Sequence, residues 1–376
     1  MNFEKLTAYM DSLPGIGVPS ADIVVYRDHE QLYRHSVGFR DEARTQPLRG
    51  DETYRLYSCS KVFTTCAAMQ LIQAGKLSLD DPVSRYLPAY ANLTVRDGET
   101  VRPAARTMTV RHLMSMQSGL NYDMGTEPVK RVLAETDGKA TTRQLMEAKA
   151  EDPLCFEPGT DFLYSLSHDA LAAVIEAVSG QKFSDYLREH IWGPLGLNTM
   201  SFDLTDDIRA RLCMQYAYDE AAKAFNPAPV DPEHYRISPN YESGGGGLFG
   251  DLKDYSRFVD ALACGGESAD GVKILAPEML QLWNTNQLGP KSRATFDQWR
   301  RLGYSYALGV RTRVDLAQGG RGQIGEFGWD GAAGAWAMID PYNRLSAFFV
   351  MHVLNYSYCF NVIHPTLRDL IYGAVK

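Results

Sequence analysis

The sequence predicts a mixed α/β (α+β) fold, with one sheet built from both ends of the chain and a mainly helical region inserted between them. Three observations support this. Strand-like segments lie near the N-terminus, segments of the same character recur in the C-terminal third, and the apolar residues between them repeat at helical spacing. Elements in this order favour a sheet flanked by helices and an inserted helical lobe.

The strand predictions come from short apolar runs bounded by turn residues. Near the N-terminus, residues 23–26 and 32–38 are β-type runs separated by a polar turn at 27–30. Near the C-terminus, residues 335–339 and 345–353 flank a turn that contains Pro341 and Asn343. We therefore expect two hairpin-like pairs, one from each end of the chain.

Three segments between these strands carry helix signals. Residues 61–74 form the most clearly amphipathic pattern, and Gly75 follows as a C-cap. Residues 162–178 repeat the spacing, and residues 251–264 begin at Asp251, a good N-cap residue. The proline-bearing stretch 227–239 is predicted to be a surface loop.

Composition and charge restrict the class of protein. The 376 residues include 45% hydrophobic and 22% charged residues, which excludes disorder, collagen-like repeats and a membrane bundle. A net charge of −8 gives no reason to expect nucleic acid or an anionic membrane as a partner. The first residues lack a signal-peptide pattern, and the best apolar run, 345–354, is too short to span a bilayer.

The 6 cysteines are scattered and contain no CxxC pair, which fits neither a disulfide scaffold nor a zinc site. Free thiols in a reducing cytoplasm are the better interpretation, and we expect a cytoplasmic protein. GxSxG and phosphate-loop motifs are absent. GxGxxG occurs at 245–250 and 320–325 without the strand and helix that a dinucleotide site needs, so both are predicted loops. We expect neither cofactor nor metal.

SxxK occurs twice. Ser179 and Lys182 fall at a helix end beside Gly180, where serine is a capping or turn residue. Ser58 and Lys61 lie at the start of the 61–74 helix, where one turn brings positions i and i+3 to the same face. Lys61 can therefore reach the Ser58 hydroxyl near a helix N-terminus. On its own the motif is also compatible with a capping serine and a solvated lysine.

Two further strings accompany this motif: residues 164–166 (Tyr-Ser-Leu) before a helix, and residues 328–332 (Gly-Trp-Asp-Gly-Ala) before a strand. With them the chain resembles the superfamily of serine β-lactamases and penicillin-binding proteins. It is most similar to the family VIII carboxylesterases, which are related to class C β-lactamases. The likeness extends over most of the chain, through strings at 56–58, 75–82, 109–120, 158–159, 194–197 and 244–248.

This resemblance implies a β-lactamase/transpeptidase-like fold with an antiparallel sheet. Residues 1–57 and 240–376 would form the α/β lobe and residues 58–239 the mainly helical lobe, with the active site between them. It also implies that Ser58 is the nucleophile and that the backbone N–H groups of Ser58 and Ala332 form the oxyanion hole. Lys61 and Tyr164 would act together as the general base, with Tyr164 accepting the serine proton and Lys61 keeping it poised to do so.

Departures from the family pattern concern the substrate pocket. Leu166 stands where class C enzymes have Asn and cannot hydrogen-bond a substrate amide. Trp329 replaces the lysine that helps to hold a substrate carboxylate, within a Trp329-Asp330-Gly331 third motif. The predicted pocket residues are therefore Leu166, Trp329, Asp330 and Gly331. No role for the charge of Asp330 is evident from the sequence. Loss of both polar groups favours small, neutral carboxylic esters.

The sequence therefore predicts a carboxylesterase that forms an acyl-enzyme on Ser58, with a small ester as its partner. The same residues would also serve an amidase, a D-amino-acid peptidase, a weak β-lactamase or an acyltransferase. A binding or sensor protein that keeps the fold is a different class, disfavoured because Ser58, Lys61 and Tyr164 are all present. His168 and Asp169 suggest a Ser-His-Asp triad, but a solvated or supporting role is enough to explain them.

Overall fold

A computed structural model of the chain describes residues 1–299 and 301–375. The strands are β1 Ser20–Arg27, β2 Glu30–Gly38, β3 Thr53–Arg55, β4 Thr94–Asp97, β5 Thr100–Pro103, β6 Tyr216–Asp219, β7 Ala224–Pro227, β8 Phe249–Asp251, β9 Tyr304–Tyr306, β10 Arg311–Arg313, β11 Phe327–Gly328, β12 Trp336–Asp340, β13 Leu345–Val350 and β14 Val353–Leu354. The α-helices are α1 Glu4–Ser12, α2 Ser60–Gln73, α3 Val110–Met114, α4 Glu127–Glu135, α5 Thr142–Lys149, α6 Ser167–Ser179, α7 Phe183–Leu187, α8 Gly193–Leu195, α9 Asp206–Arg211, α10 Leu252–Ala263, α11 Pro277–Trp283, α12 Pro290–Asp297 and α13 His364–Ala374.

The main sheet joins strands from the two ends of the chain. Its 7 strands lie in the order β2-β1-β13-β12-β11-β10-β9. All neighbouring pairs are antiparallel, and β1 pairs directly with β13, with Asp22 opposite Val350. The predicted strands at both ends are confirmed, because each is a β-rich run with a short turn to the next strand.

Apolar side chains pack on both faces of this sheet. On one face, α1, α13 and the inward side of β1 enclose a buried cluster that includes Leu6, Ile23 and Leu367. On the other face lies a larger cluster that runs from Val24 through α2 and α6 to α10. This second core continues from the sheet into the helical region without a break, so the helices around the candidate site rest on the same packed layer as the strands. The boundaries of the two lobes stay predictions.

Two helix predictions need correction. The helix predicted at 61–74 exists as α2, but it is buried on nearly all sides rather than amphipathic, because it packs among other helices, α6, α7, α10 and α11. The helix predicted at 162–178 begins only at Ser167, since the preceding backbone is drawn away by a 2.9 Å bond from the Leu163 N–H to the Met116 carbonyl. Tyr164 therefore lies in an irregular segment.

The third helix prediction is confirmed in detail. The side chain of Asp251 caps α10 by accepting the N–H of Asp254 at 2.7 Å, which satisfies one of the free donors of the first turn. Asp251 is also the last residue of β8, which pairs with β3 through the register Thr53–Asp251 and Arg55–Phe249. This short pair brings the segment before Ser58 next to the glycines at 244–247.

In the part of the chain that the structure describes, no helix is long and apolar enough to cross a membrane. All 6 cysteines are free thiols, and only Cys155 is exposed.

Candidate active site

Ser58 lies on a tight turn between β3 and α2. The turn is a single 3-10 turn over Tyr57–Cys59, and Tyr57 takes a left-handed conformation with φ of 48°. Buried partners hold this strained backbone: the Tyr57 hydroxyl donates to Gln215 Oε1 at 2.5 Å, and the Tyr255 hydroxyl donates to the Cys59 carbonyl at 2.8 Å. These contacts fix the position of Ser58, because a strained backbone persists only where the surrounding structure holds it in place.

Lys61 is fully buried beside the serine. Its Nζ donates to Ser58 Oγ at 3.2 Å and to the Gly245 carbonyl at 2.6 Å, and a longer bond of 3.4 Å reaches the Tyr122 hydroxyl. Burial disfavours the ammonium form and lowers the pKa of Lys61 to about 7, although the charge of Asp169 opposes this shift. A substantial neutral fraction near pH 7 makes this amine a competent proton acceptor.

Tyr164 presents the face of its ring to the Lys61 amine. Lys61 Nζ is 4.5 Å from the centroid of the Tyr164 ring, above its face. The Tyr164 hydroxyl accepts a 2.8 Å hydrogen bond from Trp329 Nε1. Burial raises the pKa of Tyr164, and hydrogen bonds with Ser58 and Trp329 only partly offset this. At neutral pH Tyr164 is therefore protonated, with its hydroxyl oriented by the indole.

Aromatic side chains surround Ser58, Lys61 and Tyr164. Tyr122 and Trp299 are 43% and 37% exposed, and their rings lie 5.9 and 5.1 Å from that of Tyr164. From the 227–239 loop, Tyr235 packs edge-on against Tyr57 at 5.8 Å. Sequence reasoning missed all three. Tyr122 follows the recognised string at 109–120 by two residues, a usable signal, whereas Tyr235 and Trp299 lie in segments without a motif.

The third motif runs alongside the turn that carries Ser58. A methyl group on Gly331 would lie 2.4 Å from the Leu56 carbonyl, so only glycine allows this close approach of the two backbones. Ala332, next in the chain, is exposed, and its N–H has no acceptor among residues 1–299 and 301–375. A free N–H near Ser58 is what the predicted oxyanion hole requires, and that role stays a prediction.

Residues 5–357 match the family model described as Beta-lactamase. The chain belongs to the beta-lactamase family. Esterase EstB of Burkholderia gladioli is 27% identical to this family member over 369 residues, which cover 93% of this chain and 90% of EstB. Acyltransferase calJ of Penicillium decumbens is 28% identical over 338 residues, which cover 81% of this chain and 76% of calJ.

The solved structure of EstCE1, described as a hydrolase with promiscuous acyltransferase activity, superposes on this beta-lactamase family member. Its TM-score is 0.78 at 26% identity, and the superposition covers 99% of this chain and 97% of that one. The predicted β-lactamase/transpeptidase-like fold is thus confirmed, and so is the resemblance to family VIII esterases. The relatives place this family member among enzymes that act as hydrolases and acyltransferases.

Asp330 does not behave as a pocket residue of this beta-lactamase family member. The residue follows Trp329 in extended backbone, and its carboxylate binds Arg311 Nη1 at 2.6 Å and also pairs with Arg301. Burial opposes its ionisation, but the two arginines outweigh burial and hold the pKa of Asp330 below its usual value. Both arginines line a cavity of about 200 Å³ beside α13. Asp330 therefore has a structural role, as the shared ion-pair partner of Arg301 and Arg311.

The other predicted residues have distinct environments. Trp329 is buried and bonded to Tyr164, while Leu166 is buried directly before α6. His168 is buried with Nε2 3.3 Å from the Met114 carbonyl, and burial lowers its pKa to about 3, so it is neutral. The His168 ring thus points to backbone rather than to Ser58, as expected from its supporting role.

One group of side chains in the described ranges has metal-ligand chemistry: His29, Asp260 and Cys264. These side chains already bind one another, with His29 Nδ1 2.8 Å from Asp260 Oδ2 and Cys264 Sγ 3.8 Å from Asp260 Oδ1. They join the β1–β2 turn to the end of α10 and contact none of Ser58, Lys61 or Tyr164.

Proposed function

We propose that this protein is a serine carboxylesterase that cleaves small, neutral carboxylic esters through an acyl-enzyme on Ser58. The observation that carries the proposal is the buried Lys61 amine, 3.2 Å from Ser58 Oγ and with a pKa of about 7. A lysine in this state can remove the serine proton at neutral pH, which an exposed lysine with a pKa near 10.4 cannot do.

In the acylation step, Ser58 Oγ attacks the ester carbonyl and its proton passes to Lys61. The resulting oxyanion is stabilised by the backbone N–H groups of Ser58 and Ala332, each worth on the order of 3 kcal/mol in the barrier. Tyr164 then donates its hydroxyl proton to the departing alkoxide, and the Trp329 indole, 2.8 Å away, stabilises the phenolate left behind. The proton on Lys61 returns Tyr164 to its neutral form.

In the deacylation step, a water molecule takes the place of the alcohol. The water loses its proton to the Lys61–Tyr164 pair, attacks the acyl carbonyl, and the acid is released as Ser58 recovers its proton. This assignment refines the expectation from sequence that Tyr164 accepts the serine proton. Burial lowers the pKa of Lys61 and raises that of Tyr164, so the amine is the better acceptor in the free enzyme.

The neutral-substrate part of the proposal rests on the side chains near Tyr164. Trp329 offers an indole N–H that is already bonded to Tyr164, and Leu166 offers no polar atom. Tyr122 and Trp299 present partly exposed rings at the opening. Such walls favour an uncharged acyl group with some apolar surface over a peptide or a β-lactam that carries a carboxylate.

Acyl transfer is a second candidate function, favoured by the relatives. Curated acyltransferases match this chain at 26% and 28% identity, and EstCE1 is described as a hydrolase with promiscuous acyltransferase activity. An acyl-enzyme on Ser58 is common to both reactions, which differ only in whether water or an alcohol attacks it.

A cytoplasmic location is also part of our proposal, based on the acidic composition and the free thiols.

A fluorophosphonate probe tests the nucleophile. We expect covalent labelling of the wild type and of Ser179→Ala, which alters the other SxxK motif, and no labelling of Ser58→Ala. Labelling that persists in Ser58→Ala would overturn the hydrolase proposal.

Turnover of p-nitrophenyl butyrate and of a chromogenic cephalosporin then separates esterase from β-lactamase. A much better rate with the cephalosporin would contradict the argument from Leu166 and Trp329.

Added alcohol separates hydrolysis from acyl transfer. With p-nitrophenyl butyrate and increasing n-butanol, an esterase forms mainly butyric acid, whereas an acyltransferase forms mainly butyl butyrate at unchanged p-nitrophenol release. Gas chromatography of the two products gives the ratio. A ratio dominated by the new ester at millimolar alcohol would favour the second candidate.

A further inference from the structure

Asp169 is a fully buried carboxylate close to Lys61 that the steps above leave without a role. It lies in the first turn of α6, five residues after Tyr164. Its Oδ1 atom accepts hydrogen bonds from the Tyr241 hydroxyl and the Ser243 hydroxyl, both at 2.6 Å. Two short bonds to one oxygen inside a protein are characteristic of an ionised carboxylate held in a fixed place.

The second oxygen of Asp169 faces the segment that binds the lysine. Oδ2 is buried and has no hydrogen-bond partner within the described ranges. A methyl group added to Gly245 would lie 2.6 Å from this oxygen and 3.4 Å from Lys61 Nζ. The carboxylate and the amine therefore both border the space that a side chain at position 245 would fill, and they lie no more than about 6 Å apart.

The same glycine connects the two groups through its backbone. The Gly245 carbonyl accepts the 2.6 Å bond from Lys61 Nζ, while Asp169 holds the segment just before it at Tyr241 and Ser243. Asp169 thus fixes the chain that presents the carbonyl to Lys61. A change at Asp169 would alter both the position and the charge environment of the amine.

The other titratable groups around Lys61 are uncharged at neutral pH. Burial raises the pKa values of Cys59, Tyr122 and Tyr164, and it lowers the pKa of His168 to about 3. Burial also raises the pKa of Asp169, but hydrogen bonds from Ser243 and Tyr241 and the Lys61 charge act against it. Asp169 is therefore the group whose negative charge bears on the amine.

We propose that Asp169 is a positioning residue for Lys61, which anchors residues 241–247 against the amine and supplies the negative charge that offsets its burial. This inference rests on the proposed function only for its consequence in catalysis. The electrostatic link itself concerns two buried side chains and is measurable without substrate. It predicts that the proton affinity of Lys61 depends on residue 169.

The test is a pH titration of the Lys61 side chain by NMR. In protein labelled with ¹³C-lysine, the Lys61 Cε resonance is assigned by its loss in Lys61→Arg, and its pKa is compared between wild type and Asp169→Asn. Two unit charges about 6 Å apart at an effective dielectric constant of about 20 shift a pKa by about two units. We expect the pKa of Lys61 to fall by about one to two units in Asp169→Asn.

Asp340→Asn is the matched control. Asp340 is equally buried and accepts a 2.6 Å bond from the Tyr372 hydroxyl, but its contacts are with α13 and the β12–β13 turn. We expect this variant to leave the pKa of Lys61 unchanged. A pKa that falls equally in both variants, or that does not move in Asp169→Asn, would overturn the proposal.

A second variant covers the case that Asp169→Asn does not fold. The double variant Tyr241→Phe/Ser243→Ala keeps the carboxylate but removes both donors to Oδ1, so Asp169 shifts towards its neutral form. The pKa of Lys61 should then fall in the same direction by a smaller amount, and an unchanged value would count against the proposal. If the protein turns over esters, the acid limb of its kcat/KM profile should move to lower pH by the same amount as the pKa of Lys61. Failure of the fluorophosphonate test would contradict the proposed function and leave the link between Asp169 and Lys61 unaffected.

Discussion

Replacing Asp330 by Asn tests whether the charge in the third motif is structural. The substitution preserves the size of the side chain and removes its charge. Arg311 and Arg301 would then face a neutral amide in place of the carboxylate that they both pair with. Because Asp330 and Arg311 are only 4% and 3% exposed as side chains, water screens this ion pair little.

The expected loss of stability follows from this burial. Removing one partner of a buried ion pair typically costs about 3–5 kcal/mol, because the remaining charge is left uncompensated. At about 2.1 cal/mol/K per residue, a chain of 376 residues unfolds with an entropy of about 0.8 kcal/mol/K. The variant should therefore unfold about 4–6 °C below the wild type.

Thermal unfolding at pH 7, followed by circular dichroism or calorimetry, measures this difference. Asp28→Asn is the control, since Asp28 also pairs with an arginine, Arg344, but the two side chains are 56% and 45% exposed. Exposed pairs contribute about 0–1 kcal/mol, so the control should unfold within about 1 °C of the wild type. Equal melting temperatures for Asp330→Asn and Asp28→Asn would refute the argument from burial.

Three further predictions concern catalysis. Since neutral Lys61 is the acceptor and its pKa is about 7, kcat/KM for an ester should rise with pH through about 7 and level off above it; a profile flat from pH 5 to 9 would contradict this. Trp329→Phe removes the donor to Tyr164 and should lower kcat about 10–100-fold, whereas Trp283→Phe, which loses a buried bond to the Leu308 carbonyl, should affect melting temperature but not kcat. Gly245→Ala introduces a methyl within 2.6 Å of a buried carboxylate and should lower kcat/KM at least about tenfold; near-normal steady-state kinetics would refute the crowding argument.

The parts of the fold that the sequence predicted well are those with local causes. β1 and β2 follow from two β-type runs with a short turn, and α10 follows from a capping aspartate and an apolar repeat. The pair Ser58 and Lys61 was predictable for the same reason, because positions i and i+3 meet on one helical turn whatever surrounds them. Their 3.2 Å contact agrees with that prediction.

The parts that the sequence did not reveal depend on contacts between distant segments. α2 looked amphipathic but is buried on nearly all sides, since its polar Thr64 and Thr65 donate to carbonyls at 2.7 and 2.8 Å and need no water. Tyr235 and Trp299 reach the site from loops that carry no motif, so nothing in their local sequence predicts this contact. The charge of Asp330 was unexplained because its partners lie 19 and 29 residues earlier in the chain.

The third motif combines two tasks on alternate sides of one extended segment. The Trp329 indole donates to the Tyr164 hydroxyl, so it supplies a directed N–H where the family lysine would supply a charge. The Asp330 carboxylate instead pairs with Arg301 and Arg311, and these two arginines compensate its charge. The preference that we propose for neutral esters must therefore come from Trp329 and Leu166 and not from repulsion by Asp330. For this reason, substitutions at Asp330 should change stability more than substrate choice, while substitutions at Trp329 should change the rate and the choice of substrate together.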